Sequence, residues 1–281
     1  MMNTMNRPTQ KFTLTLMTIM LSIASVATAQ GRIAKEVHRF KAKEAKQGVA
    51  VDENFVYVVG SQQIAKYDKK THKKVAHWKG PEDGPIQHLD SGVIYKGKIY
   101  CSHSNYPGVP MTSSVEIWDA KSLEHVENHN FGIGWGSCTW IDRHDGYWWV
   151  GFAQYEKWKH ATGKGTEWTT VVKMDDNWRS LEEWVLPNEI VEKMRPMSNS
   201  GGSWGPDGLL YLTGHDHEEF YAMQLPSKGS TLELVEIVPI KSFGQGIAWD
   251  HGEKGIVYGI RKKERVVIKS KLQPYSSEKN K

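Results

Sequence analysis

Five stretches of this chain share one pattern: a small residue, an apolar strand, a tight polar turn and a second apolar strand. They are QGVAVDENFVYVVG (47–60), SGVIYKGKIYCSH (91–103), GSCTWIDRHDGYWWVG (136–151), GGSWGPDGLLYLTG (201–214) and QGIAWDHGEKGIVYGI (245–260). Such a unit cannot bury both of its apolar faces alone, so its recurrence calls for stacked copies around one continuous core. The intervening segments read as short strands bounded by Gly, Asn, Asp and Ser, with almost no helical periodicity.

Each of the first four units is followed by a further hairpin, at 63–80, 114–131, 169–186 and 219–238. Four antiparallel strands per repeat make a β-propeller blade. The fifth unit ends early. ERVVIKSKL (264–272) supplies its third strand, and AKEVHRF (34–40) has nothing else to pair with. An N-terminal strand completing the last blade would leave no long exposed edge. The sequence therefore predicts an all-β propeller of five four-stranded blades, a single domain over 30–272 with a polar, disordered tail at 273–281. A degenerate sixth unit within 157–167 is the alternative.

Residues 1–29 read as a signal peptide. Arg7 and Lys11 precede the apolar run FTLTLMTIMLSIASV (12–26), and ATA (27–29) is a small-residue cleavage signal before Gln30. The apolar run is short for a membrane span. An exported protein without a membrane anchor is expected, periplasmic or secreted. Removing the leader takes the formal charge from +4 to +2, because it carries two basic residues and no acidic one. That near-balance gives no reason to expect a nucleic acid partner. The two cysteines, Cys101 and Cys138, lie in apolar strand-like segments that favour buried free thiols, although export permits a disulfide between them; neither has the local context of a nucleophile. The 12 tryptophans and 11 tyrosines suit sheet faces and, where exposed, sugar stacking.

In a blade, the start of the first strand and the end of the second lie at the same end of the ring. The repeats thus bring together residues far apart in sequence. His88, His103 and Tyr106 come from the second unit. Trp135, Gln154, Tyr155 and Trp158 come from the third, and Asn199, His215, Asp216 and His217 from the fourth. Gln245, Arg261, Lys262 and Lys263 come from the fifth, with Gln47, Ser61 and Gln62 from the first. The opposite turns (DEN, YKG, DRHDG, GPDG, DHGEKG) carry ordinary tight-turn chemistry. His144 and His251 sit there and read as structural. His72, His77, His125 and His129 fall on outer hairpins and read as solvated. Trp148, Trp149, Trp168, Trp178 and Trp184 read as sheet faces, whereas Trp135 and Trp158 are candidates for sugar stacking.

This collection suits proton abstraction beside a sugar carboxylate. The reaction needs a cation for the carboxylate, a base for the C5 hydrogen and an acid for the oxygen leaving C4. His103 and His215 are the candidate proton-transfer pair, Tyr106 the alternative acid and Arg261 the carboxylate ligand. His88, Trp135, Gln154, Tyr155, Asn199, Gln245 and His217 are candidates for binding the substrate. Taken singly, each is equally readable as a hydrogen-bonded loop residue; their recurrence at matched blade positions favours the site. Whether a metal takes part is open. Either no cofactor is needed, or His215 and His217 hold a divalent ion with His88 and His103. No serine-protease elbow, Walker loop, dinucleotide fingerprint or EF-hand loop is present. A paired-carboxylate glycosidase is disfavoured, because Asp216, Glu218 and Glu219 share one loop.

KYDKKTHKKV (66–75) resembles the hairpin turns of a wider group of secreted propellers. HSNYPGVPMTSSVEIWD (103–119) and GWGSCTWIDRHDGYWWVGFAQY (134–155) resemble the oligosaccharide dehydratases that act beside ulvan lyases in marine bacteria. That resemblance implies a carbon–oxygen lyase acting on anionic oligosaccharides. Water would be lost from a non-reducing-end glucuronic or iduronic acid linked to sulfated rhamnose, leaving a 4,5-unsaturated uronate. The alternative is a non-catalytic exported propeller that binds a carbohydrate or a protein partner. Lactonase or cycloisomerase chemistry would want a site richer in carboxylates. A monomer is expected.

Overall fold

The computed structural model describes residues 31–273. The leader expected at 1–29 and the tail expected at 273–281, save Gln273, lie outside the described residues. Twenty strands form five antiparallel four-stranded sheets. Blade one holds β2 (Gly48–Val51), β3 (Phe55–Gly60), β4 (Gln63–Asp68) and β5 (Lys74–Lys79). Blade two holds β6 (His88–Tyr95), β7 (Lys98–Ser104), β8 (Ser113–Asp119) and β9 (His125–Gly132). Blade three holds β10 (Ser137–His144), β11 (Tyr147–Ala153), β12 (Thr170–Met174) and β13 (Ser180–Val185). Blade four holds β14 (Gly201–Trp204), β15 (Leu210–Thr213), β16 (Glu219–Gln224) and β17 (Glu233–Pro239). Blade five holds β18 (Ala248–Asp250), β19 (Ile256–Arg261), β20 (Val266–Lys271) and, on its outer edge, β1 (Lys35–Lys41). The N-terminal strand thus closes the ring, as the repeats predict.

The side-chain alternation of a strand explains why the ring holds. In β3, Val56 and Val58 join the apolar cluster shared with blade five, while Tyr57 and Val59 join the cluster shared with blade two. Every blade–blade interface carries such a cluster. The two faces of one strand therefore serve two neighbours, and the strand reads as a nearly continuous apolar run. Burying each large aliphatic or aromatic side chain contributes roughly 1.5–3 kcal/mol relative to exposure. Cys101 and Cys138 are free and buried in two of these clusters.

The inner strands β2, β6, β10, β14 and β18 touch in sequence around the axis. Glycine and serine make this approach possible. A Cβ on Gly48 would lie 2.9 Å from Gly246 Cα and 3.0 Å from Ser91 Cβ, and one on Gly246 would overlap Ser91 itself. The small residues that open the repeats are therefore a steric requirement of the axis. Blade five is further clamped to blade one by Lys69. Its buried ammonium lies 2.5 Å from Asp250 and donates to the carbonyls of Asp52 and Glu53.

The ring has the five blades expected, and helical segments fill two of its connections. Residues 157–167 hold no sixth unit but short helical turns at Glu156–Trp158, Lys159–Thr162 and Thr166–Trp168. A seven-residue helix, Asn188–Met194, buries Ile190, Val191 and Met194 against blades three and four. Pro187 immediately before it and the spacing of those three residues were its signals. Replacing Gly246 by Ala should lower the unfolding free energy by about 1–3 kcal/mol through overpacking of the axis. Urea denaturation of the variant beside the parent checks this; an unchanged midpoint would mean that the inner strands have room to spare.

Candidate functional site

Two inner strands break register where they reach the channel mouth. β6 loses its pairing to β7 between Leu89 and Gly92, and β10 loses its pairing to β11 between Cys138 and Trp140. A bulge re-aims side chains. Here it turns Asp90 and Thr139 towards a small cavity of about 50 Å³ on the axis. Its walls also include His88, Tyr106, Tyr155, His215 and Lys262. The Oδ2 atom of Asp90 and the Oγ1 atom of Thr139 are buried without a protein hydrogen-bond partner. Unsatisfied buried polar atoms are costly, and a pair of them facing one cavity marks a place shaped for a polar ligand.

The titratable groups lie close together. His88 Nε2 is 3.5 Å from Asp90 Oδ1 and 3.4 Å from Gln47 Nε2, which itself donates to Ser61 Oγ at 2.9 Å. The rings of His88 and Tyr106 lie 4.9 Å apart. Tyr106 packs edge-on against Tyr155 and Trp158. Burial, then the Asp90 carboxylate, raises the phenol pKa of Tyr106, so it stays protonated and able to donate. Tyr155 is pushed the same way by the same causes. Burial lowers the pKa of Lys262, and the attraction of Asp90 opposes that shift only in part. Gln245 holds φ at 68°, a left-handed conformation uncommon for a residue with a side chain, and its carbonyl accepts from Thr213 Oγ1 at 2.7 Å.

A larger cleft of about 380 Å³ adjoins this mouth on the blade-five side and shares His215, Gln245 and Lys262 with it. Arg261 lines this cleft, but its guanidinium is engaged by Glu218, Glu264 and the carbonyl of Lys241. His215 Nδ1 lies 2.7 Å from Asp216 Oδ1.

Of the residues singled out in the sequence, Gln47, His88, Tyr106, Tyr155, His215, Gln245 and Lys262 meet at the mouth. Others lie elsewhere. His103 is buried, and its Nε2 accepts the backbone N–H of Gln87 while Nδ1 bonds Ser114 Oγ at 2.8 Å. His217 is tied to the carbonyl of Lys193. Asn199 accepts the indole N–H of Trp140 and donates to the carbonyls of Gly201 and Thr213. Gln154 donates to the carbonyl of Trp135, and Trp135 stacks on Phe152. Trp168, read as a sheet-face residue, instead sits 53% exposed on a helical turn. His144, read as structural, stacks on Trp204 at 4.3 Å. Asp90 escaped notice because an aspartate inside an apolar strand pattern looks like a turn signal, and only the bulge reveals its direction. Lys262 stands at the blade-five exit in the sequence, next to Arg261, whose guanidinium is the usual partner of a carboxylate.

Among the described residues, no three histidine, cysteine or acidic side chains converge to hold a metal ion, and no helix is long and apolar enough to cross a membrane. No family model matches the chain, and no curated protein matches it. Solved structures do. The PQQ-bound aldose sugar dehydrogenase of Streptomyces coelicolor aligns with a TM-score of 0.51 and 13% identity, over 88% of this chain and 82% of that one. The WD40 repeats of RRP9 align with a TM-score of 0.46 and 11% identity, over 80% of this chain and 79% of that one. The likeness is one of fold. It assigns no specific family.

The environment of His103 has a measurable consequence. Burial pushes its imidazole down from 6.5 to about 4, against the pull of Glu116. Below the unfolded value the unfolded chain takes up a proton that the folded chain does not. Its contribution is therefore complete above pH 6.5 and is lost as pH falls towards 4. His103→Gln should show a shallower loss of stability over that window than the parent, read from urea midpoints at pH 7.5 and 4.5. Parallel losses would mean that the imidazole is not desolvated.

Proposed function

We propose that the protein is a carbon–oxygen lyase that removes water from a uronic acid at the non-reducing end of an oligosaccharide, ulvan oligosaccharides being the first candidates. The observation that carries this reading is the juxtaposition, in one partly desolvated cavity, of His88, a protonated Tyr106 and the Lys262 ammonium. The Lys262 ammonium meets the sugar carboxylate, and that anion restores the stabilisation that burial takes from it. Neutralising the carboxylate acidifies the C5 hydrogen. His88, oriented by Asp90 and Gln47, takes that proton. The C5–H electron pair forms the C4–C5 double bond, and the C4–O bond breaks. Tyr106 gives its proton to the departing hydroxyl, which leaves as water. Proton return from His88 to Tyr106, whose rings are in contact, resets both groups. His215, at the junction of the two cavities, is placed to bind a sugar hydroxyl. These roles move base duty from His103 to His88 and carboxylate binding from Arg261 to Lys262, since the first choices are engaged within the fold.

The test is direct. Ulvan oligosaccharides ending in a saturated uronic acid should gain ultraviolet absorbance from the conjugated double bond and lose the mass of one water. Tyr106→Phe and His88→Ala should each lower kcat by about 100-fold or more with unchanged melting temperature, and Lys262→Met should both lower kcat and raise KM. Absorbance with chain cleavage would mean a polysaccharide lyase instead. Binding without product would make this a carbohydrate-binding propeller and overturn the catalytic reading.

A further inference from the structure

A third cavity, of about 620 Å³, opens on blade three and shares no lining residue with the channel mouth or the cleft beside it. Trp135, Trp168 and Trp184 supply its flat apolar walls. Glu183 and Ser230 line it with polar groups, as does Lys164, whose ammonium donates to the carbonyl of Gly134 at 3.2 Å and lies 5.7 Å from the centre of the Trp168 ring. The three tryptophans differ in what holds them. Trp184 is 5% exposed and stacks on Trp149, and Trp135 stacks on Phe152, so both are parts of the sheet packing. Trp168 is 53% exposed, and nothing in the core requires it.

The chain spends several interactions on holding Trp168 in place. Thr166, two residues before it, is fully buried and donates to the carbonyl of Met197 at 2.8 Å. Glu167 is gripped by Arg195 at 2.7 Å and Lys159 at 2.8 Å, which holds its carboxyl down at about 2. Thr169 is buried, with its hydroxyl 2.6 Å from Ser198 Oγ. Both flanks of an exposed indole are thus pinned, and the ring is presented rigidly to solvent beside a cleft. An aromatic face presented in this way binds at low entropic cost. Its natural complement is a flat ligand with apolar C–H faces and a hydroxyl edge, and a pyranose ring has both. The same loop, 155–168, carries Tyr155 and Trp158 at the channel mouth at its other end.

We infer that this cleft is a second carbohydrate-binding site, in which Trp168 stacks on a pyranose ring while Lys164, Glu183 and Ser230 bond its hydroxyls. It gives the protein a grip on glycan chains apart from the channel mouth, whose cavity is too small for more than part of one sugar. The inference takes its ligand class from the oligosaccharide reading above, but its test does not depend on turnover.

The experiment is isothermal titration of the protein with ulvan oligosaccharides of two and of eight or more residues, and with β-glucan oligosaccharides of matching length as neutral probes. Trp168→Ala and Trp168→Phe are compared with the parent. Trp168→Ala should weaken binding of the long chains about tenfold, Trp168→Phe should restore most of it, and melting temperature and turnover of the disaccharide should stay unchanged. Equal affinity of the alanine variant for long chains would overturn the second site alone. A parent that binds none of these glycans would overturn both this site and the proposed substrate class. Binding that tracks the ulvan chains only would assign the cleft to the anionic glycan, and binding of both series would assign it to pyranose rings in general.

Discussion

Five strands must approach one another around a single axis, and nearly every other feature of this molecule follows from how closely they do so. Gly48, Ser91, Gly201 and Gly246 leave the backbones almost in contact. Larger residues there would push the blades apart and loosen the five apolar clusters that join them. The axis is therefore filled by backbone and small side chains over most of its depth. The cavity lined by Asp90 and Thr139 lies at the end where β6 and β10 break register.

At that end the bulges in β6 and β10 change what the axis offers. Regular pairing would leave Asp90 and Thr139 in the alternation that feeds the blade interfaces, where neither side chain belongs. The bulges direct them into the mouth instead. Asp90 then acts on several neighbours at once: it lies beside His88, helps raise the Tyr106 and Tyr155 phenols and partly offsets the desolvation of Lys262. Burial is the larger cause of all three shifts, and this one carboxylate contributes to each of them. The surrounding scaffold keeps the mouth narrow, so a ligand would be held by its end rather than along its length.

The fold was legible because blade architecture is written in a periodic pattern. The two faces of β3 and its counterparts must both be apolar, turns must recur, and the small residue at the start of each unit must recur with them. Strand 34–40 had no partner in its own neighbourhood, which pointed to the closing role it has. The site was legible only in part. His88, Tyr106, Tyr155, His215 and Gln245 follow from their place in the repeat, which puts them at the end of a blade that opens on the mouth. His103 lies on the same end but one strand position away from the mouth, and strand alternation turns it into the sheet to bond Gln87 and Ser114. Asp90 depends on an irregularity of pairing that no repeat comparison shows. The exposure of Trp168 depends on a short helical turn inside a loop that has no counterpart in the other blades.

The account rests on the claim that the channel mouth receives the acidic sugar with its carboxylate on Lys262. The most direct measurement is a crystal structure of the Tyr106→Phe protein soaked with a trisaccharide ending in a saturated uronic acid. The account predicts the terminal sugar in the mouth, its carboxylate within hydrogen-bond distance of Lys262, C5 facing His88 and the C4 oxygen beside the position of the missing phenol. A sugar seated elsewhere, with the mouth empty or its carboxylate turned away from Lys262, would contradict it.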